Sequence, residues 1–213
     1  MKEIRLAVVA AVLAAATLLG GCAAAVIGGA AAGGAMVASD RRLSDVIAAD
    51  ERIEWTVLNR LNDRFKDQIH VNVTSFNRNV LLTGEAATDT IKQEAERLAA
   101  GVAEVRSVTN ELAIGPASSL TSRSNDSYIT SQVKARLVGA EGVNPLHVKV
   151  VTEAGVVYLM GLLTQKEADI ATRVARQTSG VRKVVQVFEI IPPGKPAPVE
   201  SKPIESKPVE PKQ

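Results

Sequence analysis

The chain repeats itself, and the repeat governs what it can fold into. Ile53, Val57, Arg60 and Leu61 recur 76 residues later as Ile129, Val133, Arg136 and Leu137. Val71, Val73, Val80 and Gly84 recur at an offset of 77 as Val148, Val150, Val157 and Gly161. Ala95, Leu98, Ala99, Val105, Val108, Leu112 and Ile114 return to an offset of 76 as Ala171, Val174, Ala175, Val181, Val184, Phe188 and Ile190. One extra residue before the first strand and one fewer before the second helix account for the changes. Two copies of one module result, at 50–114 and 126–191, joined by a Gly/Pro/Ser-rich linker at 115–125. Each copy must close a small core of its own, and modest stability per module is expected.

Both copies read alike. A first helix carries apolar residues four apart: Ile53, Val57, Leu61 and then Ile129, Val133, Leu137. Two β-rich runs follow, 70–75 with 79–84 and 147–152 with 156–161, joined by the hairpin-like connections Phe76-Asn77-Arg78 and Glu153-Ala154-Gly155. Thr90-xx-Gln93 and Thr164-xx-Glu167 are capping-box patterns that start a second helix. Last strands occupy 105–113 and 182–190. The order αββαβ gives an α+β fold, a small three-stranded sheet with two helices on one face of it.

The N-terminus is of another kind. Lys2 and Arg5 precede an almost wholly apolar stretch, Leu6–Leu19, of the length of a signal-peptide core, so residues 1–21 read as a removable export signal. It ends in Leu19-Gly20-Gly21-Cys22, which resembles the lipobox of bacterial lipoproteins, with Cys22 as the acylated lipid anchor. Cys22 is the only cysteine, so no disulfide framework is available. Several acyl chains, at roughly 0.8 kcal/mol per buried CH₂, make a durable anchor. Residues 22–49 read as an Ala/Gly-rich tether; its Gly29-xxx-Gly33 spacing leaves self-association in lipid as a minority reading. Alanine after the cysteine favours the outer membrane by analogy with lipoprotein sorting.

The repeated unit resembles the BON domain. The resemblance rests on Val80-Leu81-Leu82-Thr83-Gly84, on Val157-Tyr158-Leu159-Met160-Gly161 and on Gly180-Val181-Arg182-Lys183-Val184; Glu104 stands where the second copy has Gly180. Lipobox, tether and two such units together look like the dual-BON outer-membrane lipoproteins associated with cell division and envelope stress. That resemblance implies no cofactor and no small-molecule substrate. It implies an anionic phospholipid membrane as partner, bound by the first helix of the second module through a leading aromatic residue, with envelope or cell-division proteins as further partners. Tyr128 holds the aromatic position here.

The helix can also be read from its residues alone. With Ile129 at 0° and 100° per residue, Val133 and Leu137 fall at about 40° and 80°, the core stripe, and Tyr128 at about 260°. Ser131, Ala135 and Gln132 share the outer side at about 200°, 240° and 300°, while Lys134 and Arg136 flank it at about 140° and 340°. With Ser127 beside Tyr128, this is an uncharged strip with an aromatic tip and cationic shoulders, suited to a headgroup layer. Packing of Tyr128 on the first module is the other reading. Charge is divided accordingly: residues 50–114 hold 8 Lys/Arg and 11 Asp/Glu, residues 126–191 hold 8 and 6. An anionic surface therefore attracts the second module and repels the first.

Other chemistry finds little material. The six aromatics are too few for a base-stacking platform, and no dense basic stripe suits nucleic acid. His70 and His147 stand at equivalent strand starts without a second ligand or base, so they read as surface residues. Gly84 and Gly161 read as strand-to-helix corners, and nothing cradles a phosphate. An enzyme is not expected. Trp55, at about 200° on its own wheel, reads as a core-edge residue, with partner binding as the alternative. The tail, 192–213, repeats Pro-Val/Ile-Glu-Ser-Lys-Pro and is expected to be disordered and extended, as a spacer or a contact to cell-wall polymer or a partner protein.

Overall fold

A computed structural model of the chain describes residues 41–42 and 44–193, all of them within one compact unit that begins at Arg41. The signal segment, Cys22, the Gly29-xxx-Gly33 pair and the tail from residue 194 lie outside the described residues.

Helix α1, Ser44–Phe65, starts six residues inside the stretch read as tether. The reason is periodicity: Ala49, Ile53, Val57, Leu61 and Phe65 are all buried at intervals of four, so the core stripe extends one turn earlier than Ile53. A 3₁₀ turn, Lys66–Gln68, leads into strand β1 (Ile69–Phe76), which pairs antiparallel with β2 (Asn79–Ala86). Helix α2, Asp89–Ala100, is capped by Thr88 rather than by Thr90; the Thr88 hydroxyl accepts from the Ile91 amide at 3.3 Å. Burial of Ile91, Ala95 and Ala99 sets that start. The last strand is split into β3 (Ser107–Asn110) and β4 (Ala113–Ile114), both parallel to β2. At the break the Leu112 amide donates to the Asn110 side-chain oxygen at 3.3 Å, and Leu112 is fully buried in the core.

The second module repeats this order. Helix α3 spans Leu120–Val138, so half of the stretch read as linker is helical, started by Ser119, whose hydroxyl accepts from the Ser122 amide. After the 3₁₀ turn Pro145–His147 come β5 (Val148–Glu153) and β6 (Val156–Leu163), antiparallel. Helix α4 (Gln165–Arg176) carries the expected Thr164/Glu167 capping box, and β7 (Lys183–Ile190) pairs parallel with β6 as one unbroken strand. In both sheets the second strand is central.

Strand alternation shows what each sheet face meets. Val80, Leu82 and Ala86 lie in one core with the two helices of the first module, and Val157, Leu159 and Leu163 in the equivalent core of the second. The opposite faces are buried as well: Phe76 and Leu81 share a third apolar cluster with Tyr158, Met160 and Leu162. The sheets thus pack face to face, with helices outside both. Continuous burial along β2 and β6 is the mark of strands covered on two sides. Polar bonds frame this junction: Asn72 to Glu153 at 2.8 Å, Lys149 to Glu54 at 2.7 Å, and Asn77 to Glu189 at 2.7 Å. Burial pushes the Tyr158 hydroxyl up to about 12, with the nearby Glu111 and Glu153 carboxylates adding to it.

Gly84 and Gly161 are inside strands rather than at corners. A Cβ on Gly84 would stand 2.1 Å from the His70 carbonyl oxygen, and one on Gly161 would stand 2.5 Å from that of His147, so the hairpin backbones can close only on glycine.

Each hairpin is held by a buried aspartate on the first helix, three residues before the first isoleucine of its stripe. Asp50 accepts from the amides of Asn77 (2.9 Å) and Arg78 (2.7 Å); Asp126 accepts from those of Ala154 (2.9 Å) and Gly155 (2.8 Å). All four turn residues have positive φ, as a two-residue type I′ hairpin demands. Asp126→Ala leaves two turn amides without an acceptor and is expected to cost about 2–4 kcal/mol. Asp126→Asn, which keeps one oxygen, should cost less; urea unfolding of the two variants checks the order.

The first described residues clasp the body. Arg41 donates to both oxygens of Glu167 (2.7 and 2.9 Å) and to the Leu162 carbonyl (2.8 Å), while Arg42 donates to Asp50 at 2.6 Å and lies 4.0 Å above the Phe76 ring. Burial alone would raise the Glu167 carboxyl, but the Arg41 and Thr164 hydrogen bonds outweigh it and hold it at about 2. Its contribution is therefore complete above about pH 4.5 and lost as pH falls toward 2. Unfolding free energy followed from pH 6 to 2 should fall less steeply in Glu167→Gln, by about 2 kcal/mol over that window.

Candidate functional site

Helix α3 is about 28 Å long at 1.5 Å per residue. Asp126, Ile129, Val133 and Leu137 are buried, which turns the side centred on Tyr128 to solvent. Tyr128 is 61% exposed. Leu120 (78% exposed) and Val138 (72%) stand on the same outer side, at about 180° on the wheel, one at each end. Sequence reasoning missed both by starting the helix near 126 and ending its wheel at Leu137; Ser119 as an N-cap was the available signal. Leu120, Tyr128, Ala135 and Val138 therefore form a broken apolar line along an exposed helix side that carries no charge.

Gln132 is half-buried; Ser127, Ser131, Lys134 and Arg136 are exposed but differently engaged. The Ser127 hydroxyl donates to the Arg123 carbonyl (3.0 Å) and that of Ser131 to the Tyr128 carbonyl (2.7 Å), so both hydroxyl hydrogens are turned back into the helix. Lys134, on one shoulder, lines an open cleft of about 720 Å³ between the modules, with Arg123 and Ser127 on its wall and Leu58, Val71 and Val73 opposite. Arg136, on the other shoulder, donates to the Gln177 carbonyl at 2.7 Å and ties α3 to the end of α4. Cys22 lies outside the described residues.

The first module offers a different surface. Trp55 is 71% exposed, not at the edge of the core: Leu58, 60° nearer the stripe, takes that place. Its neighbours Glu51 and Arg52 are exposed charges. His70 is half-buried, its Nδ1 2.9 Å from Glu85 across the β1–β2 pair, and His147 is half-buried before β5. Burial raises the Glu153 carboxyl; the Asn72 hydrogen bond opposes this and the Glu85 and Asp126 charges add to it. Among the described residues no group of three or more His, Cys, Asp or Glu is placed to hold a metal, and no helix is long and apolar enough to cross a membrane.

The BON domain family matches residues 49–116 and 125–192, the two halves of the repeat. The chain belongs to the BON-domain family. It is 39% identical to the outer membrane lipoprotein DolP of Haemophilus influenzae over 157 residues, 73% of this chain and 81% of that one. It is 36% identical to a 21 kDa hemolysin of Actinobacillus pleuropneumoniae over 71% of this chain and 79% of that one. It is 33% identical to the osmotically-inducible protein Y of Escherichia coli over 54% and 58%. With two BON modules and an outer membrane lipoprotein so similar over most of its length, this chain is an outer-membrane lipoprotein, lipid-anchored.

Proposed function

We propose that the second BON module binds anionic phospholipid on the periplasmic side of the outer membrane through the exposed side of α3, without catalysis, and so supports envelope integrity. The observation that carries this is the uncharged outer side of α3, apolar at Leu120, Tyr128, Ala135 and Val138 and bordered by Lys134 and Arg136. An exposed helix side on a water-facing domain usually carries charges; one without them, with an interfacial aromatic and cations at its rims, matches the depth profile of a headgroup layer. The acyl chains on Cys22 keep the module at high local concentration. Cys22 and Arg41 are nineteen residues apart, a reach of at most about 65 Å. A weak helix–lipid contact then suffices.

Flotation of the mature chain carrying Cys22→Ser tests this without the anchor. Binding to vesicles rich in phosphatidylglycerol and little to phosphatidylcholine is expected, with Tyr128→Ala weakening it about fivefold through lost apolar burial. Equal binding to both vesicle types, or no loss with Tyr128→Ala, overturns the reading.

A second reading, a scaffold that binds an envelope protein through the first module, is favoured by Trp55 standing exposed on an acidic module. As the only tryptophan it reports directly. Its emission should be red-shifted and quenched by acrylamide, and should stay so on phosphatidylglycerol vesicles; a blue shift there would place the first module in lipid.

A further inference from the structure

Five of the eight Lys/Arg in the second module gather at one corner: Arg136 on α3, Arg173 and Arg176 on α4, Arg182 before β7 and Lys183 at its start. Arg136 and Arg182 are committed to backbone carbonyls, of Gln177 at 2.7 Å and Ala154 at 3.3 Å. They pin the corner to α3 and to the β5–β6 hairpin. Arg173, Arg176 and Lys183 are exposed and make no ion pair among the described residues. The negative end of the α4 dipole accounts for two cations there, but Lys183 opens a strand and answers no dipole. Arg176 stands between two open hollows. One, of about 390 Å³, is lined by Arg173, Thr172, Gln177, Gln186 and Asp169; the other, of about 320 Å³, by Arg182, Lys183, Val181 and Val184. The one carboxylate present, Asp169, accepts from Gln165 at 2.9 Å.

The corner adjoins the lipid-facing strip. Arg136 is about 80° from Tyr128 on the helix wheel, and its guanidinium ends on Gln177, the residue after Arg176. Gly180, in the same connection, comes so close to α3 that a Cβ on it would be 3.1 Å from the Ile129 side chain. Arg136 thus links the outer side of α3 to this flank.

We propose that Arg173, Arg176 and Lys183 form a second lipid contact, which takes the phosphodiester of anionic headgroups and sets the tilt of the second module on the bilayer. This rests on the reading of α3 as the lipid-binding helix. The helix strip supplies apolar contact that tolerates salt; the corner supplies charge contact that does not.

The test uses the mature chain with Cys22→Ser on phosphatidylglycerol vesicles, titrated from low to high salt. Neutralising the corner, Arg173→Gln with Arg176→Gln and Lys183→Gln, should weaken binding at least tenfold, at up to about fivefold per cation, and flatten the salt dependence. Tyr128→Ala should weaken binding and leave the salt dependence as it was. Arg173→Lys with Arg176→Lys and Lys183→Arg should bind as the unaltered chain does. Lys183→Gln alone, expected to weaken binding two- to fivefold, serves if the triple change lowers the melting temperature. Unchanged affinity and salt dependence in the Gln variants, with binding still lost in Tyr128→Ala, overturns this inference and spares the α3 reading; absence of binding by the unaltered chain overturns both. Inorganic phosphate displacing the chain at millimolar levels, beyond sodium chloride of equal ionic strength, would mark a small-anion site and overturn the inference as well.

Discussion

The fold of each module depends on a carboxylate buried in the second turn of its first helix. A two-residue hairpin with both turn residues at positive φ is costly for Arg78 and Ala154, which lack glycine's freedom. Asp50 and Asp126 offset that cost by accepting the two turn amides, so a strained turn and a buried charge satisfy one another. The bond also fixes helix against hairpin. Once Asp126 sits under the turn, Ile129, Val133 and Leu137 face the sheet, and Tyr128 must face outward. The aspartate that builds the fold therefore also sets which side of α3 faces outward.

The same logic is stretched further in the first module. Asp50 takes, beyond the turn amides, the Ser75 hydroxyl and the Arg42 guanidinium at 2.6 Å each. Arg42 reaches it from just ahead of α1, and its neighbour Arg41 grips Glu167 of the other module. The two arginines thus clasp both modules, one each. The apolar cluster of Phe76, Leu81, Tyr158, Met160 and Leu162 does the bulk of the joining. Two thin modules that bury only one sheet face each would be marginal; burying the second face against a partner sheet supplies the missing core.

Periodicity carried most of the fold in advance. The repeat, the element order, the core stripes and the Thr164 capping box are all local patterns, and the structure reproduces them. What stayed hidden depends on distant contacts. Asp50 and Asp126 are themselves repeated at an offset of 76, yet an aspartate in a stripe looks like an ordinary polar residue until the turn it caps is known. Burial of β2 and β6 on both faces was written in Leu81, Tyr158 and Met160, whose apolar character exceeds what a half-exposed sheet needs. Trp55 is the opposite case: its size suits a core edge, but its wheel position points away from the stripe and it stands exposed. At the candidate site the strip around Tyr128 was legible, whereas Leu120, Val138 and the cations of the α4–β7 corner needed the helix ends and the neighbouring elements.

The two modules share one scaffold and diverge on the outer sides of their first helices and at the last corner. On α1 that side carries Glu51, Arg52, Asp63 and the exposed Trp55, a charged surface with one apolar anchor; on α3 it carries hydroxyls, alanine and Tyr128. The end strand differs too: broken at Leu112 in the first module, unbroken in the second and opened by Lys183. Even the departure at Glu104 is absorbed by the scaffold, since it takes the same positive φ as Gly180 and bonds Arg52 and Arg78. Sheet-to-sheet packing turns the helices of both modules outward, so Trp55 on α1 and Tyr128 on α3 stay exposed while each sheet covers the other. A fused pair can then change one outer surface without disturbing the other, because the apolar residues that join the pair lie on the sheets.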